Sequence, residues 1–138
     1  MAAYTGDLLM KATHETGKLD LTVGSDTIAT PASSDTITIS NFWPEFAYTP
    51  KAVMLIFSSP LDTNASPGTL TAGDGTDADG YVVATSMGNI VAASGTGALL
   101  GEKQTGRDLV ITLGTIGTAG SNVIVTALGW YTGGDSNA

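Results

Sequence analysis

The chain of 138 residues has no cysteine and only one histidine, and these absences exclude several kinds of chemistry. Without thiols there is no disulfide, no thiolate zinc site and no cysteine nucleophile. A metal site usually needs more than one imidazole or thiolate, and no Gly-x-Ser-x-Gly turn accompanies His14 to suggest a serine triad. We therefore expect no catalytic residue, no metal and no cofactor, and we interpret His14 as an ordinary surface or arm residue.

Charge is also scarce, and most of it has one sign. Charged residues make up 13% of the chain, and five Lys and Arg stand against thirteen Asp and Glu, for a net charge of −8. No basic run is present to neutralise phosphates or anionic lipid headgroups, so neither nucleic acid nor a membrane surface is an expected partner. The chain also lacks an apolar stretch of membrane-spanning length and a secretory signal peptide.

The residues that are abundant are small or β-branched. Thr, Gly, Ala and Ser fill about half of the chain, with 21 Thr and 18 Gly, and ten of the thirteen acids are Asp rather than Glu. Gly and Asp favour turns, whereas Thr, Val and Ile favour strands. Hydrophobic residues reach 42%, which is more than a disordered chain would contain. The composition favours one folded domain built from strands and turns.

Strand patterns recur along the chain between clusters of turn residues. They occupy residues 18–23, 35–40, 52–57, 81–85, 89–93, 107–113 and 122–128, with a further short strand near Leu70. The continuous apolar run 52–57 lies between prolines and predicts a central strand covered on both faces. The sixth and seventh patterns, joined by residues 114–121, predict a hairpin, and so do the fourth and fifth, around Met87 and Gly88.

Seven or eight short strands at this spacing predict an all-β fold. We expect a single-domain antiparallel β-sandwich, jelly-roll-like, or a small barrel, over residues 18–132. Residues 1–17 are predicted to be an N-terminal arm, in which residues 7–12 form either a short capped helix or an extended segment. Residues 133–138 are predicted to be a mobile tail.

Two loops have the composition of ligand sites without the required spacing. The loop 74–80 carries Asp74, Asp77 and Asp79, but in calcium-loop register Gly75 and Ser86 take the first and last ligand positions. We interpret it as a solvated turn held by Asp side chains. In residues 95–103, a glycine-rich stretch that resembles a phosphate loop, Glu102 separates the glycine from Lys103, and we interpret it as a flexible loop.

Aromatic residues concentrate at one place, residues 41–50, which hold four of the nine in the chain. Prolines in this segment predict a corner or an edge, because proline cannot donate to a sheet. The aromatic side chains could form a stacking platform for sugars, a contact with another subunit, or a plug inside the sandwich. Of these three, we favour the plug. The partner-contact candidates are Leu8, Leu9, Met10, Phe42, Trp43, Phe46, Tyr48, Trp130 and Tyr131.

Two segments resemble structural β-domains of tailed-phage virions. The segment Tyr48-Thr49-Pro50-Lys51-Ala52-Val53-Met54-Leu55, after the aromatic corner, is similar to the entry of such modules. The segment Val123-Ile124-Val125-Thr126-Ala127-Leu128-Gly129 is similar to their final strand. The chain departs from that form after Gly129, where Trp130 and Tyr131 replace small residues.

The resemblance implies a virion component that is not an enzyme. It implies most directly a decoration (cement) protein that binds the major capsid protein on the outer surface of the head and stabilises it. The alternative is a carbohydrate- or receptor-binding module of a tail fibre. Under either interpretation the protein would assemble in the host cytoplasm without a secretory signal. A homo-oligomer, plausibly a trimer, is expected because exposed strand edges in so uncharged a chain need cover.

Overall fold

The computed structural model describes residues 2–11, 19–93 and 97–134, with the backbone alone for residues 7–11. These residues form nine strands and no helix, so no described segment is a helix able to cross a membrane. The strands are β1 (Ala3–Lys11), β2 (Asp20–Ile28), β3 (Thr36–Ile39), β4 (Tyr48–Phe57), β5 (Thr69–Gly73), β6 (Val82–Ser86), β7 (Val91–Ala93), β8 (Leu109–Leu113) and β9 (Val123–Gly133).

Two sheets of five and four strands pack as a sandwich, which confirms the predicted fold class. Sheet A has the order β6-β5-β8-β3-β1, and sheet B has the order β2-β9-β4-β7. Strand β1 joins the two sheets, because its first half pairs with β3 in parallel and its second half pairs with β2 antiparallel. The strands β6 and β7 end the order and do not pair with each other in the described residues, so the sandwich is not a closed barrel.

The core lies between the inner faces of the two sheets. Alternate residues point inward along each strand, as in β8, where Leu109, Ile111 and Leu113 are at most 1% exposed. In sheet B the same alternation buries Val125 and Ala127 of β9. Because most of the inward side chains are apolar, the two sheets enclose one continuous hydrophobic core, to which β2 also contributes the buried polar residues Asp20 and Thr22.

Both predicted hairpins are wrong. Strand β8 pairs with β3 and β5 in sheet A, whereas β9 pairs with β2 and β4 in sheet B. Likewise, β6 pairs with β5 in sheet A and β7 pairs with β4 in sheet B. Each connection therefore crosses from one sheet to the other. A loop that spans the roughly 10 Å between packed sheets has the same turn residues as a hairpin loop, so composition does not distinguish them.

Two other expectations need correction. The run 52–57 lies within β4 and is paired on both edges, but only one of its faces is covered, since Ile56 is 39% exposed. At the N-terminus, the helical alternative for residues 7–12 is wrong as far as Lys11, because Ala3–Lys11 is a strand. The predicted mobile tail, residues 133–138, is ordered at its start: Gly133 belongs to β9, and the Gly134 N–H donates to the Ala47 carbonyl. Residues 135–138 lie outside the described residues.

Candidate interaction surfaces

The aromatic corner folds inward and plugs one end of the sandwich. Phe42, Trp43, Tyr48 and Tyr131 are 0–1% exposed and, with Tyr81, form a group that we call the aromatic cluster. Trp43 lies at its centre. Its ring stacks on Tyr48 at 5.1 Å, and it meets Phe42 and Tyr131 edge-on at 4.9 and 6.1 Å. Such pairs add about 0.5–1.5 kcal/mol each beyond the area that they bury.

Backbone hydrogen bonds fix the corner to the rest of the sandwich. The Trp43 N–H donates to the Arg107 carbonyl at 2.9 Å, and Arg107 Nε donates back to the Trp43 carbonyl at 3.2 Å. The Thr22 hydroxyl, itself buried, donates to the Phe42 carbonyl at 2.8 Å. Since β2 and the segment just before β8 hold the turn, the two aromatic side chains are directed into the core.

A glycine of β9 makes room for these rings. A Cβ at Gly129 would lie 2.6 Å from the Phe42 ring and 2.8 Å from the Trp43 ring, closer than real Cβ atoms approach. The small residue at this position is therefore a packing requirement of the aromatic cluster. This requirement also explains why the segment that is similar to the final strand of phage modules ends in Gly129.

The tyrosine hydroxyls of the cluster are kept neutral. Burial raises the pKa of Tyr81 to about 12, and burial together with the nearby charge of Asp20 raises the pKa of Tyr131 to about 12. The pKa of Tyr48 is raised further, first by burial and then by its hydrogen bond with Tyr81. The Tyr48 hydroxyl also donates to the Gly106 carbonyl. The Tyr48 and Tyr81 hydroxyls therefore bond inside the fold and are not offered to a ligand.

The placement of the contact candidates divides them into two groups. Phe42, Trp43, Tyr48 and Tyr131 have no exposed surface through which to contact a partner or a sugar in this structure. Phe46 is 45% exposed at the corner, and Trp130 is partly exposed on the outer face of sheet B. Their contact role stays a prediction. It also stays a prediction for the residues of β1, Leu8, Leu9 and Met10, where the register shifts between Leu8 and Met10.

The outer faces of the two sheets differ in chemistry. The outer face of sheet A is lined by threonines that sit opposite one another on neighbouring strands, Thr5, Thr36, Thr38, Thr71 and Thr112. Their hydroxyls can bond to water, so this face is suited to solvent. Five of the 21 threonines of the chain thus line one face of the molecule.

The outer face of sheet B is mostly apolar, and we call it the apolar face, although Ser25 and Thr126 lie in the same cross-strand row as Ile56 and Val91. Cross-strand rows place Val91 beside Ile56, and Val23 beside Leu128 and Met54. Ile56, Val91 and Ile124 are 39–46% exposed. Sequence reasoning missed this face because it assigned both sides of run 52–57 to the core. The signal was present, since β4 and β9 are apolar at successive rather than alternate positions.

The buried carboxylate of Asp62 was also missed. Its two oxygens accept hydrogen bonds of 3.0–3.1 Å from the backbone N–H groups of Asn64, Gly68, Gly117 and Thr118. These bonds hold the pKa of Asp62 well below its usual range. The carboxylate therefore joins two loops at the end of the sandwich opposite the aromatic corner. Nothing in the sequence distinguishes it from the other turn aspartates.

The acidic loop has the geometry of a self-bonded turn. Asp74 Oδ1 accepts the N–H groups of Thr76 at 2.8 Å and Asp77 at 2.6 Å, as in an Asx turn. The Asp79 side chain hydrogen-bonds Asp77 and raises the pKa of that carboxyl. Among the described residues, no three His, Asp or Glu side chains are grouped to hold a metal. His14 lies outside the described residues.

Comparison with known proteins gives structural neighbours only. No protein-family model matches the chain, and no curated protein matches its sequence. The chain is similar to a chain of the cyanophage Pam1 capsid asymmetric unit, with 26% identity, a TM-score of 0.65, and coverage of 91% of this chain and 93% of that one. It is also similar to a chain in the capsid of Ralstonia phage GP4, with 17% identity, a TM-score of 0.64, and coverage of 91% and 90%. The second likeness concerns the fold alone, and the first supports a structural role in a phage virion.

Proposed function

We propose that this protein is a decoration (cement) protein that binds the major capsid protein on the outside of a phage head. The observation that carries the proposal is the likeness to a chain of the Pam1 capsid asymmetric unit, which covers nearly all of both chains. A single sandwich of this size is suited to an accessory component of a capsid rather than to the shell itself.

The chemistry of the chain supports a non-enzymatic, mechanical role. Tyr48, Tyr81 and Asp62 are each engaged in bonds within the fold, and the acidic loop is bonded to itself. A net charge of −8 is compatible with the outer surface of a head, away from packaged DNA. The protein would act by bridging neighbouring shell subunits, so that additional buried interface opposes the internal pressure of the genome.

Phe46 is the most exposed of the aromatic candidates for the head contact. It is 45% exposed, although the corner that carries it is anchored by the bonds of Trp43 and Arg107. A rigidly held aromatic side chain loses little entropy on binding, which is why such residues often dominate an interface. In this proposal Phe46 contacts the shell and β1 supplies further contacts at Leu8, Leu9 and Met10.

The tail-fibre alternative has less support. It requires an exposed aromatic platform for sugar stacking, and Trp43 is enclosed in the aromatic cluster. Trp130 is partly exposed, but it lies in β9 beside Leu21 and Ala52, within a broad apolar sheet face rather than a cleft. A sugar site is usually concave and carries polar groups that orient the ligand.

The test is addition of purified protein to heads that lack it. We expect saturable, stoichiometric co-sedimentation and a higher temperature of DNA release from the decorated heads. Heads that already carry the protein serve as the control and should bind no more of it. Absence of binding to both immature and expanded heads would contradict the proposal, and quenching of Trp fluorescence by a glycan set would instead favour the receptor module.

A further inference from the structure

The apolar face is an extended patch on the surface of the chain. It spans β2, β9 and β4 over residues 21–27 of β2 and 124–130 of β9, and β7 adds three residues at its edge. Strand spacing and rise give about 14 by 23 Å for the three long strands and about 50 Å² more for β7, or roughly 380 Å² in projection. This is the size of the largest apolar patch on a typical monomer, and such patches are often functional.

The outward positions on these four strands carry one charge, that of Lys51, the exposed bulge residue at one end of β4. The acids of β2 point inward, since Asp20 is 4% exposed opposite Tyr131, and Asp26 lies opposite the buried Val125. A face with so little charge neither steers nor selects a charged partner strongly.

We propose that the apolar face is the interface between copies of this chain. Each copy carries a charge of −8, so copies repel each other wherever their acidic loops approach. The apolar face is where two copies can meet without bringing acids together. Two such faces would bury about 760 Å² in projection, and the relief of the side chains raises the accessible area toward the roughly 1,000 Å² of a specific interface. The proposal deepens the proposed function by assigning this face to self-association rather than to the head.

The geometry accommodates the contact. Two sheets stack face to face at about 10 Å. Three copies can also place their faces, each about 19 Å wide, as the sides of a triangle around a common axis. The axis then lies about 5–6 Å from each sheet, which is about half of the distance between two stacked sheets. Either arrangement covers Ile56, Val91 and Ile124, and the measured mass distinguishes them.

The test compares two equally exposed β-branched residues on opposite sheets. Ile56 of the apolar face and Val83 of sheet A are both 39% exposed. The unmodified protein should have a solution mass that is a multiple of 13.9 kDa by light scattering at micromolar concentration. Ile56→Lys should reduce it to 13.9 kDa with an unchanged circular dichroism spectrum, whereas Val83→Lys should keep the assembled mass. If Ile56→Lys fails to fold, Ile124→Lys on the neighbouring strand makes the same test.

The outcomes separate this inference from the proposed function. A monomeric unmodified protein, or a mass that folded Ile56→Lys and Ile124→Lys leave unchanged, would overturn the inference. Binding to heads by a protein that is monomeric would keep the decoration role and reject the self-contact. Conversely, an oligomer that dissociates in Ile56→Lys but binds no head would support the self-contact and reject the decoration role.

Discussion

The packing of the aromatic cluster against β9 can be tested by adding one methyl group at Gly129. In Gly129→Ala the new Cβ would lie 2.6 and 2.9 Å from two atoms of the Phe42 ring and 2.8 Å from the Trp43 ring. The rings cannot retreat easily, because Trp43 is itself held between Tyr48 and Tyr81 at 5.1 and 5.3 Å. Overpacking of this kind costs about 1–3 kcal/mol of unfolding free energy.

A partial gain offsets this cost, because replacing glycine lowers the entropy of the unfolded chain by an amount worth about 0.4–1 kcal/mol. The net loss is therefore about 1–2 kcal/mol. For a chain of 138 residues the unfolding entropy is about 0.3 kcal/mol/K, so Tm should fall by about 3–7 °C. Calorimetry at one fixed protein concentration measures this change, since self-association would make Tm depend on concentration.

Gly75→Ala is the matched control, because a Cβ at Gly75 meets nothing within 4 Å. Its Tm should stay the same or rise slightly. Phe42→Leu removes the ring atoms nearest to the new methyl group, so the two substitutions together should cost less than the sum of each alone. A Gly129→Ala protein with the Tm of the unmodified protein would refute the tight packing of the cluster against β9.

Three further predictions follow from the buried and exposed groups. Asp62→Asn should lower Tm at neutral pH and make Tm fall less steeply in acid, whereas the exposed Glu45→Gln should do neither. The reason is that the lowered pKa of Asp62 stabilises the folded state above the ordinary carboxyl pKa near 4, and this contribution is lost as the pH drops. The pKa values of Tyr81 and Tyr131, raised to about 12, stabilise the folded state below about pH 10, and this contribution is lost as the pH rises toward 12. Tyrosinate absorbance and loss of the circular dichroism signal should therefore rise together between about pH 10 and 12. Most of that absorbance appearing at lower pH, in protein that is still folded, would contradict this. Phe46→Ala should weaken head binding about 10- to 30-fold in a sedimentation assay, with unchanged Tm.

The strands were predictable because their signal is local. Alternation in residues 35–40 and 107–113 matches β3 and β8 to within about two residues. The pairing of strands was not predictable in the same way, since β8 and β9 follow one another but belong to different sheets. The parallel pairing of β1 with β3 joins residues 33 positions apart, such as Ala3 and Thr36. No short-range pattern encodes which strands meet at that distance.

The candidate surfaces were predictable only in part. The aromatic corner was located correctly over residues 41–47, whereas residues 48–50 belong to β4. Which residues of the corner face inward depends on bonds from Thr22 and Arg107 that no spacing indicates. The apolar face was misread because a strand covered on both faces and a strand with one exposed apolar face have the same composition. Asp62 depends on donors up to 56 positions away, at Thr118.

The two proposed contacts lie in compatible places on the molecule. Strands β4 and β9 run between the corner end, near Tyr48 and Gly133, and the loop end, near Asp62. Three copies whose apolar faces enclose an axis along these strands would direct all corner ends the same way. Three copies of Phe46 would then meet the head together, and linked contacts gain about 10²- to 10⁴-fold in avidity over a single one. A face-to-face pair related by an axis across the strands would direct its corners oppositely and lose this gain, so the decoration role favours the three-fold arrangement.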